Sequence, residues 1–440
     1  MENSTTQKES TFQGVTFYHW LVVIIASCGW LFDCMDQRLF ILARESALSE
    51  LLGGEAARET VKKFGGYATM AMMIGWATGG IFWGMMSDKR GRVKTMVATL
   101  LVYSGFTGLS GMAHSWQEFI TYRFLVGLGV GGMFGAATTL VAESVPGRFR
   151  AVALGALQAL SATGNIMGSL ISFLVPPSQA NFLGSFSGWR ILFFVGILPS
   201  LLVIPIIFVL KEPEAWKKAK AAAAASGAER KQVGSLGDLF GHPRWRRHAI
   251  VGLLLGVAGM TGLWGIGFFS PELITEALKG EPLEKVNRVR ALGTALQDVG
   301  AFCGMVAFTM VAAFLTRRLA FFCSFLVCFF TVAFVFFGLR TEAQAYWMLP
   351  MMGFATLSAF AGYSIYFPEL FPTRLRGTGV GFCYNTVRYL AAPAPALLGH
   401  LSVWMGSFRT AAMIMCSIYL VGIAALIWAP ETKGKPLPED

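Results

Sequence analysis

Long apolar stretches alternate with short polar ones along nearly the whole chain. About 20 apolar residues, at 1.5 Å per helical residue, cross the hydrocarbon core of a bilayer. Such stretches must be helical, because lipid offers no water to satisfy open backbone groups. The pattern predicts twelve transmembrane helices, TM1 to TM12, near residues 17–42, 65–86, 93–113, 116–141, 152–175, 189–210, 248–277, 293–315, 317–338, 344–367, 377–400 and 406–429.

The longest polar segment, residues 211–247, separates the first six helices from the last six. It predicts an N-terminal bundle over 17–210 and a C-terminal bundle over 248–429, with polar tails at 1–16 and 430–440. Most Lys and Arg residues fall on the side of the bilayer that holds this segment and both tails. The positive-inside rule therefore predicts cytoplasmic termini and a cytoplasmic central loop in a plasma (inner) membrane protein.

An internal repeat supports two equivalent halves. The residues Glu143, Pro146, Arg148 and Arg150 follow TM4, and the same types recur 226 residues later, after TM10, at Glu369, Pro372, Arg374 and Arg376. The same offset maps Arg92 onto Arg318. Parallel six-helix repeats are the plan of one large class of secondary transporters.

Composition excludes several other classes of protein. The chain has 440 residues, of which 55% are hydrophobic and only 14% charged, whereas soluble domains carry about 25% charged residues. The net charge of +11 is divided among short segments, so we expect no nucleic-acid partner. The seven cysteines lie inside apolar stretches and are interpreted as free thiols. No nucleophile–base pair or metal-ligand spacing occurs, so we expect no enzyme activity, cofactor or metal.

Two motifs carry a resemblance to the major facilitator superfamily. The loop after TM2, Gly84-Met-Met-Ser-Asp88-Lys-Arg90-Gly91-Arg92, is similar to the family's Gly-x-x-x-Asp-Arg-x-Gly-Arg signature, with Lys89 where Arg is usual. TM4 carries Arg123 followed by Gly127, Gly129 and Gly131, as in the family's Arg-x-x-x-Gly-x-Gly-x-Gly pattern. The ending Pro430-Glu-Thr-Lys-Gly434 resembles that of sugar porters and their organic-ion relatives.

The resemblance implies an all-α membrane protein with twelve helices in two pseudo-symmetric six-helix bundles. It also implies a cytoplasmic latch in which Gly84 permits close packing and Asp88 faces the positive end of the TM11 dipole. Arg92, Glu143 and Arg150 belong to the same group of loops. The alternative is a solvated basic loop that only sets topology.

TM1 carries two acids, Asp33 and Asp36, at a depth where carboxylates are costly and usually functional. They resemble the Asp-Gly-x-Asp of aromatic acid:proton symporters, with Cys34 in place of Gly. Sialate and lactate:proton symporters also place acid here, and the single acid of sugar porters would match Asp36. The rise per residue puts Asp36 and Arg123 at similar depth, so we expect them to pair. The pair is either a structural staple or a proton switch; alternatively, TM1 ends near residue 33 and the acids are solvated.

TM11 presents Arg388, Asn385 and Tyr384 on one face. A mid-membrane arginine suits an anionic substrate, which it can bind bidentately. Alternatively, Arg388 pairs with Asp298 of TM8 or with a backbone carbonyl. Asp298 itself has three possible roles: an outer gate, the partner of Arg388, or a solvated residue at the start of TM8.

Gln297 and Asn165 are candidate cavity-lining residues, and ordinary packing explains them equally well. The favoured function is proton-coupled uptake of a small mono- or aromatic carboxylate by alternating access, in a monomer surrounded by lipid. Asp36, Asp33 and Arg123 would couple the proton, and Arg388 would hold the substrate. The alternative function is a sugar or polyol porter.

Overall fold

The computed structural model describes residues 11–53, 58–225, 232–266, 269–391 and 394–439, and these ranges contain helices and no strand. The first six spans are Phe17–Leu51 (TM1), Arg58–Arg90 (TM2), Arg92–Gly111 (TM3), Trp116–Ser144 (TM4), Gly147–Ala159 with Ser161–Leu174 (TM5), and Gly188–Val195, Leu198–Leu202 and Val203–Val209 (TM6). The last six are Pro243–Gly265 with Ser270–Ala277 (TM7), Leu283–Phe314 (TM8), Arg317–Gly338 (TM9), Glu342–Leu370 (TM10), Arg376–Ala391 with Ala394–Met405 (TM11), and Phe408–Met415 with Ile418–Ala425 (TM12).

The observed helices differ from the predicted spans mainly at their ends. TM1 continues to Leu51, and TM8 already begins at Leu283, because amphipathic turns extend a helix beyond the hydrocarbon core. The central segment also contains two short helices, Glu214–Ala225 and Leu236–Gly241. Residues 1–10 of the predicted N-terminal tail and 226–231 of the predicted central loop lie outside the described residues.

Nine described spans are apolar and long enough to cross a bilayer by length and composition alone. The other three, TM2, TM3 and TM11, carry many glycines or polar residues, although each also exposes large apolar side chains such as Phe82, Leu101 and Val403. TM2 packs along both TM4 and TM11. Small residues at such contacts let helix backbones approach closely.

The TM2–TM4 contact shows how close this approach is. An added Cβ at Gly127 would lie 2.1 Å from the backbone oxygen of Met72, and one at Gly131 would lie 2.3 Å from that of Trp76. TM8 and TM10 repeat the arrangement, since a Cβ at Gly353 would lie 2.0 Å from the oxygen of Gln297. Helix-to-helix contact therefore fixes the positions of the side chains described below.

We expect Gly131→Ala to destabilise the fold by about 1–3 kcal/mol, because the methyl group overlaps the TM2 backbone. The matched control is Gly135→Ala, one turn further along TM4, where an added Cβ meets no atom within 4 Å. There the better helix propensity of alanine should leave stability unchanged or raised by up to about 1 kcal/mol. Melting temperatures of the purified variants measure the difference; equal melting temperatures would refute the close-contact account.

Candidate functional site

The predicted cytoplasmic end of the bundle is closed by a carboxylate at the end of TM2. Asp88 is fully buried and accepts hydrogen bonds from the backbone N–H groups of Gly377 at 2.9 Å and Thr378 at 2.8 Å. The Thr378 hydroxyl donates a third bond at 2.7 Å. These donors form the first turn of TM11, where the helix dipole favours negative charge. Gly84 makes room for the contact, because an added Cβ would lie 2.5 Å from the oxygen of Gly377.

A buried charge network strengthens this closure. Arg92 binds Glu143 bidentately at 3.0 and 2.9 Å, bonds Asp88 at 2.9 Å and donates to the backbone oxygen of Thr373 at 2.8 Å. Arg376 of TM11 also binds Glu143. The network therefore joins TM2, TM3 and TM4 to the segment that leads into TM11.

The second half of the chain repeats this network with one change of register. Arg317, not Arg318, binds Glu369 bidentately at 3.1 and 2.9 Å, as Arg92 binds Glu143. The mapping of Arg92 onto Arg318 is therefore wrong by one residue, because the arginine and the glutamate are 52 positions apart in the second half and 51 in the first. Arg150 and Arg376 do follow the offset of 226 residues. Nε of Arg150 donates to the backbone oxygen of Ala142 at 3.0 Å, and Nε of Arg376 donates to that of Pro368 at 2.9 Å.

Each half also has a glutamate, outside its six spans, that accepts hydrogen bonds from the first turn of its third helix, TM3 or TM9. Glu212 accepts from the backbone N–H of Arg92 at 2.7 Å, and Glu431 accepts from those of Arg317 and Arg318, both at 3.1 Å. Partial burial by itself would raise the pKa of Glu431, but the surrounding backbone N–H groups hold this pKa below its ordinary value. Glu431 belongs to the Pro-Glu-Thr ending, which thereby has a local structural role.

The TM1 acids lie deep in the helix bundle, and TM1 continues well beyond them. Asp36 is fully buried, accepts a hydrogen bond from Thr107 at 2.9 Å and lies 3.9 Å from Nη1 of Arg123. Arg123 is equally buried; Ser110 accepts its hydrogen bonds at 2.7 and 3.1 Å, and its guanidinium packs 4.7 Å from the ring of Phe193. Asp36 and Arg123 thus form a buried ion pair without a direct hydrogen bond.

Asp33 is in a different environment from Asp36. It is fully buried near Tyr103 and Asp36, yet neither of its carboxylate oxygens has a hydrogen-bond partner among the described residues. A buried ionised carboxylate without a partner is strongly unfavourable. Asp33 is therefore a carboxyl group whose charge the surrounding protein does not balance.

Arg388 lies at the centre of the molecule between the two halves. Its Nη1 donates to the backbone oxygen of Tyr384 at 2.8 Å and to Oδ1 of Asn385 at 3.0 Å. Its guanidinium stacks 3.8 Å from the ring of Trp76 on TM2. Tyr384 itself stacks on Phe134 of TM4 at 3.8 Å. Nε of Arg388 is buried without a hydrogen-bond partner in the described part of the chain.

Asp298 does not pair with Arg388. It forms an ion pair with Arg38 of TM1, which joins the two halves on the predicted outer side of Asp36. Both side chains are partly exposed, at 24% and 19%. Gln297 and Asn165 are half-buried, and no hydrogen bond connects either side chain to Arg388 within the described ranges.

Several residues that complete these contacts are not among the predicted site residues. Arg38 carries a visible signal, since it is a charged residue inside a predicted span two positions from Asp36. Thr107 and Trp76 carry weaker signals, because threonine and tryptophan are ordinary at such positions. The internal repeat singles out Arg376, but not its bond to Glu143. Their contacts depend on how the helices rotate and cross.

Buried charges at the middle of a many-helix bundle, with ion pairs between its halves, define a multi-pass membrane transporter. The chain belongs to the Major Facilitator Superfamily, whose sequence pattern matches residues 26–394. This confirms the resemblance and the all-α fold of twelve helices, and the chain is a transporter rather than an enzyme.

Several characterised proteins are similar to the chain along most of its length. The cis,cis-muconate transport protein of Acinetobacter baylyi is 29% identical over 370 residues, which cover 83% of this chain and 84% of that protein. The sialic acid transporter NanX of Escherichia coli is 28% identical over 331 residues, covering 74% and 75%. The structure of the proton:xylose symporter XylE superposes with a TM-score of 0.75 at 18% identity, covering 96% of this chain and 98% of that one.

Replacing Asp88 by Asn should open the predicted cytoplasmic end. A neutral amide interacts less favourably with the TM11 dipole and with Arg92, so the population should shift toward an inward-open state. Distances between spin labels on the TM2–TM3 and TM8–TM9 loops report this shift. Lys89→Gln, at the neighbouring exposed position, is the matched control. Unchanged distances in Asp88→Asn would contradict a latch role for Asp88.

Proposed function

We propose that the chain is a proton-coupled symporter for a small organic anion and that Arg388 holds the carboxylate of the substrate. The observation that carries this proposal is the central guanidinium of Arg388, which has no acidic side chain within ion-pair distance among the described residues. A cation buried in a low-dielectric interior is strongly unfavourable without an opposite charge. An incoming carboxylate supplies that charge.

The hydrogen bonds of Arg388 leave it ready to bind an anion. Tyr384 and Asn385 hold Nη1 and so fix the plane of the guanidinium. The Nε edge is without a partner, and a guanidinium edge binds a carboxylate through two parallel hydrogen bonds. Stacking on Trp76 limits rotation of the group. The site is thereby preorganised for a planar anionic group.

The relatives support this substrate class. The proteins similar over most of the chain transport cis,cis-muconate and sialic acid, according to their names, and both compounds are carboxylates. The similarity to the xylose symporter shows the fold alone. A sugar or polyol porter is the second candidate, and it requires Arg388 to be dispensable for affinity.

The Asp36–Arg123 pair is the proposed coupling switch. Protonation of Asp36 removes the attraction at 3.9 Å and leaves Arg123 with the hydrogen bonds to Ser110 and the contacts with aromatic rings. Deprotonation restores the pair, so each protonation state favours a different arrangement of TM1 and TM4. Asp33, without a hydrogen-bond partner of its own, is the second proton-carrying group in this proposal. The moving bodies are residues 17–210 and 248–429, with both termini cytoplasmic in the plasma (inner) membrane.

Asp36→Asn should abolish accumulation of substrate against a gradient while preserving exchange, because an amide resembles the protonated acid. Counterflow and proton-driven uptake in proteoliposomes separate the two activities. Glu284→Gln, at an exposed position near the start of TM8, is the control. If Asp36→Asn still accumulates substrate, Asp36 is not the coupling acid, and Asp33→Asn is the next variant to assay.

Arg388 variants distinguish the two substrate classes. A thermal-shift screen against monocarboxylates, aromatic acids, sialic acid and hexoses first identifies the best ligand. For a carboxylate, Arg388→Lys should lower affinity about tenfold and Arg388→Ala about a hundredfold, or roughly 1.4 and 2.7 kcal/mol. Arg318→Ala, exposed at the predicted cytoplasmic surface, should leave affinity unchanged. Near-equal affinities in all variants, measured by isothermal titration, would favour a neutral sugar instead.

A further inference from the structure

A small cavity lies on the predicted outer side of Arg388, between TM1, TM2, TM7 and TM11. It has a volume of about 120 Å³. Most of its lining is apolar, including Phe40, Met72, Trp76 and Trp264. Trp76 lines the cavity and its ring also lies 3.8 Å from the Arg388 guanidinium, so this ring stands between the cavity and the proposed carboxylate site. When the Trp76 ring turns aside, an apolar part of a ligand held by Arg388 would extend into this cavity.

The far end of the cavity is basic. Arg44 of TM1 lines it, is half-buried and donates from Nη1 to the hydroxyl of Thr69 at 2.6 Å. Thr69 in turn donates to the backbone oxygen of Gly65 at 2.9 Å, which fixes the hydroxyl as an acceptor for Arg44. No ion pair to an acidic side chain holds Arg44 among the residues described. The neighbouring Glu45 is exposed and its charge attracts the Arg44 guanidinium, but the two side chains form no ion pair.

A second donor points to the same space. Nε2 of Gln37 is buried without a hydrogen-bond partner, and Gln37 lines the cavity. Gln37 and Arg44 are seven residues apart, or two helical turns, and so lie on one face of TM1. Buried donors are rarely left without acceptors, so the cavity is suited to a ligand that carries acceptor oxygens.

The separation between Arg44 and Arg388 determines how long a ligand must be to reach both. Thr69 and Trp76 are seven residues apart on TM2, so the levels of Arg44 and Arg388 differ by roughly 10 Å at 1.5 Å per residue. The carboxyl carbons of an extended six-carbon dicarboxylate are roughly 6–7 Å apart, and a charge-assisted hydrogen bond of about 2.8 Å at each end covers the remaining distance. A monocarboxylate reaches only one of the two arginines.

We propose that Arg44, oriented by Thr69, is a second carboxylate subsite and that the transporter prefers dicarboxylates of about six carbons with an apolar middle. Phe40, Met72 and Trp76 would contact that middle, and Gln37, two turns inward of Arg44, would donate to the inner carboxylate. This inference rests on the proposed function, since Arg388 holds the other carboxylate.

Binding of adipate, hexanoate and succinate to the full-length protein in nanodiscs tests the subsite. We expect the wild type to bind adipate at least tenfold more tightly than hexanoate or the shorter succinate. Arg44→Gln should weaken adipate at least tenfold and change hexanoate less than twofold. Arg44→Lys should keep part of the preference, and Thr69→Val should lower adipate affinity about threefold. Lys63→Gln, exposed near the same end of TM2, should change neither affinity.

Different outcomes contradict different claims. If adipate and hexanoate bind the wild type equally, or if Arg44→Gln weakens both equally, the second subsite is refuted while the role of Arg388 stands. If binding is insensitive to Arg388→Ala, the proposed role of Arg388 is refuted and the subsite with it. If none of the three acids binds, the dicarboxylate preference is refuted, while the wider screen of carboxylates still tests the proposed function. A melting temperature for each variant separates loss of binding from loss of folding.

Discussion

The energetic penalty on an unpaired charge in a low-dielectric interior governs this molecule. Arg92 with Glu143, and Arg317 with Glu369, meet that penalty through bidentate ion pairs at the helix ends. Each of these pairs fastens helices within one half, and the pair of Arg376 with Glu143 joins the two halves. Arg388 and Asp33 have no such partner among the described residues. In a membrane protein, buried charges that the protein itself leaves unbalanced are the natural places for a substrate anion and a proton.

TM1 connects these sites because its successive faces meet different neighbours. Asp36 faces Thr107 and Arg123 of TM3 and TM4, whereas Arg38 reaches across to Asp298 of TM8. Gln37 lines the cavity that extends toward Arg388. A small rotation or shift of TM1 on a change in the charge of Asp36 would therefore act on the Arg38–Asp298 pair and on the cavity together. Such a two-state element is what coupling between sites requires.

The sequence is sufficient to predict a contact where the constant rise of a helix per residue determines the depth of each side chain. The constant rise of a helix places Asp36 and Arg123 at one depth, and their side chains lie 3.9 Å apart. The sequence is insufficient where the rotation of a helix about its axis, or the register between two helices, determines which side chains meet. The pairing of Arg38 with Asp298 and the stacking of Arg388 on Trp76 depend on which face of each helix meets its neighbour. Likewise, the segment from the arginine to the glutamate is one residue longer in the second half, and this gives the Arg92-like role to Arg317.

Coupled movement of protons and organic anion is the central claim of this account. Proteoliposomes with a pH-sensitive dye in the lumen and a clamped membrane potential test it, when the best-binding carboxylate is added outside without a pH gradient. The account predicts that the lumen acidifies with the same time course as uptake of labelled substrate, and faster than in protein-free liposomes. Uptake of the labelled carboxylate with no change in lumen pH beyond that of protein-free liposomes would contradict it.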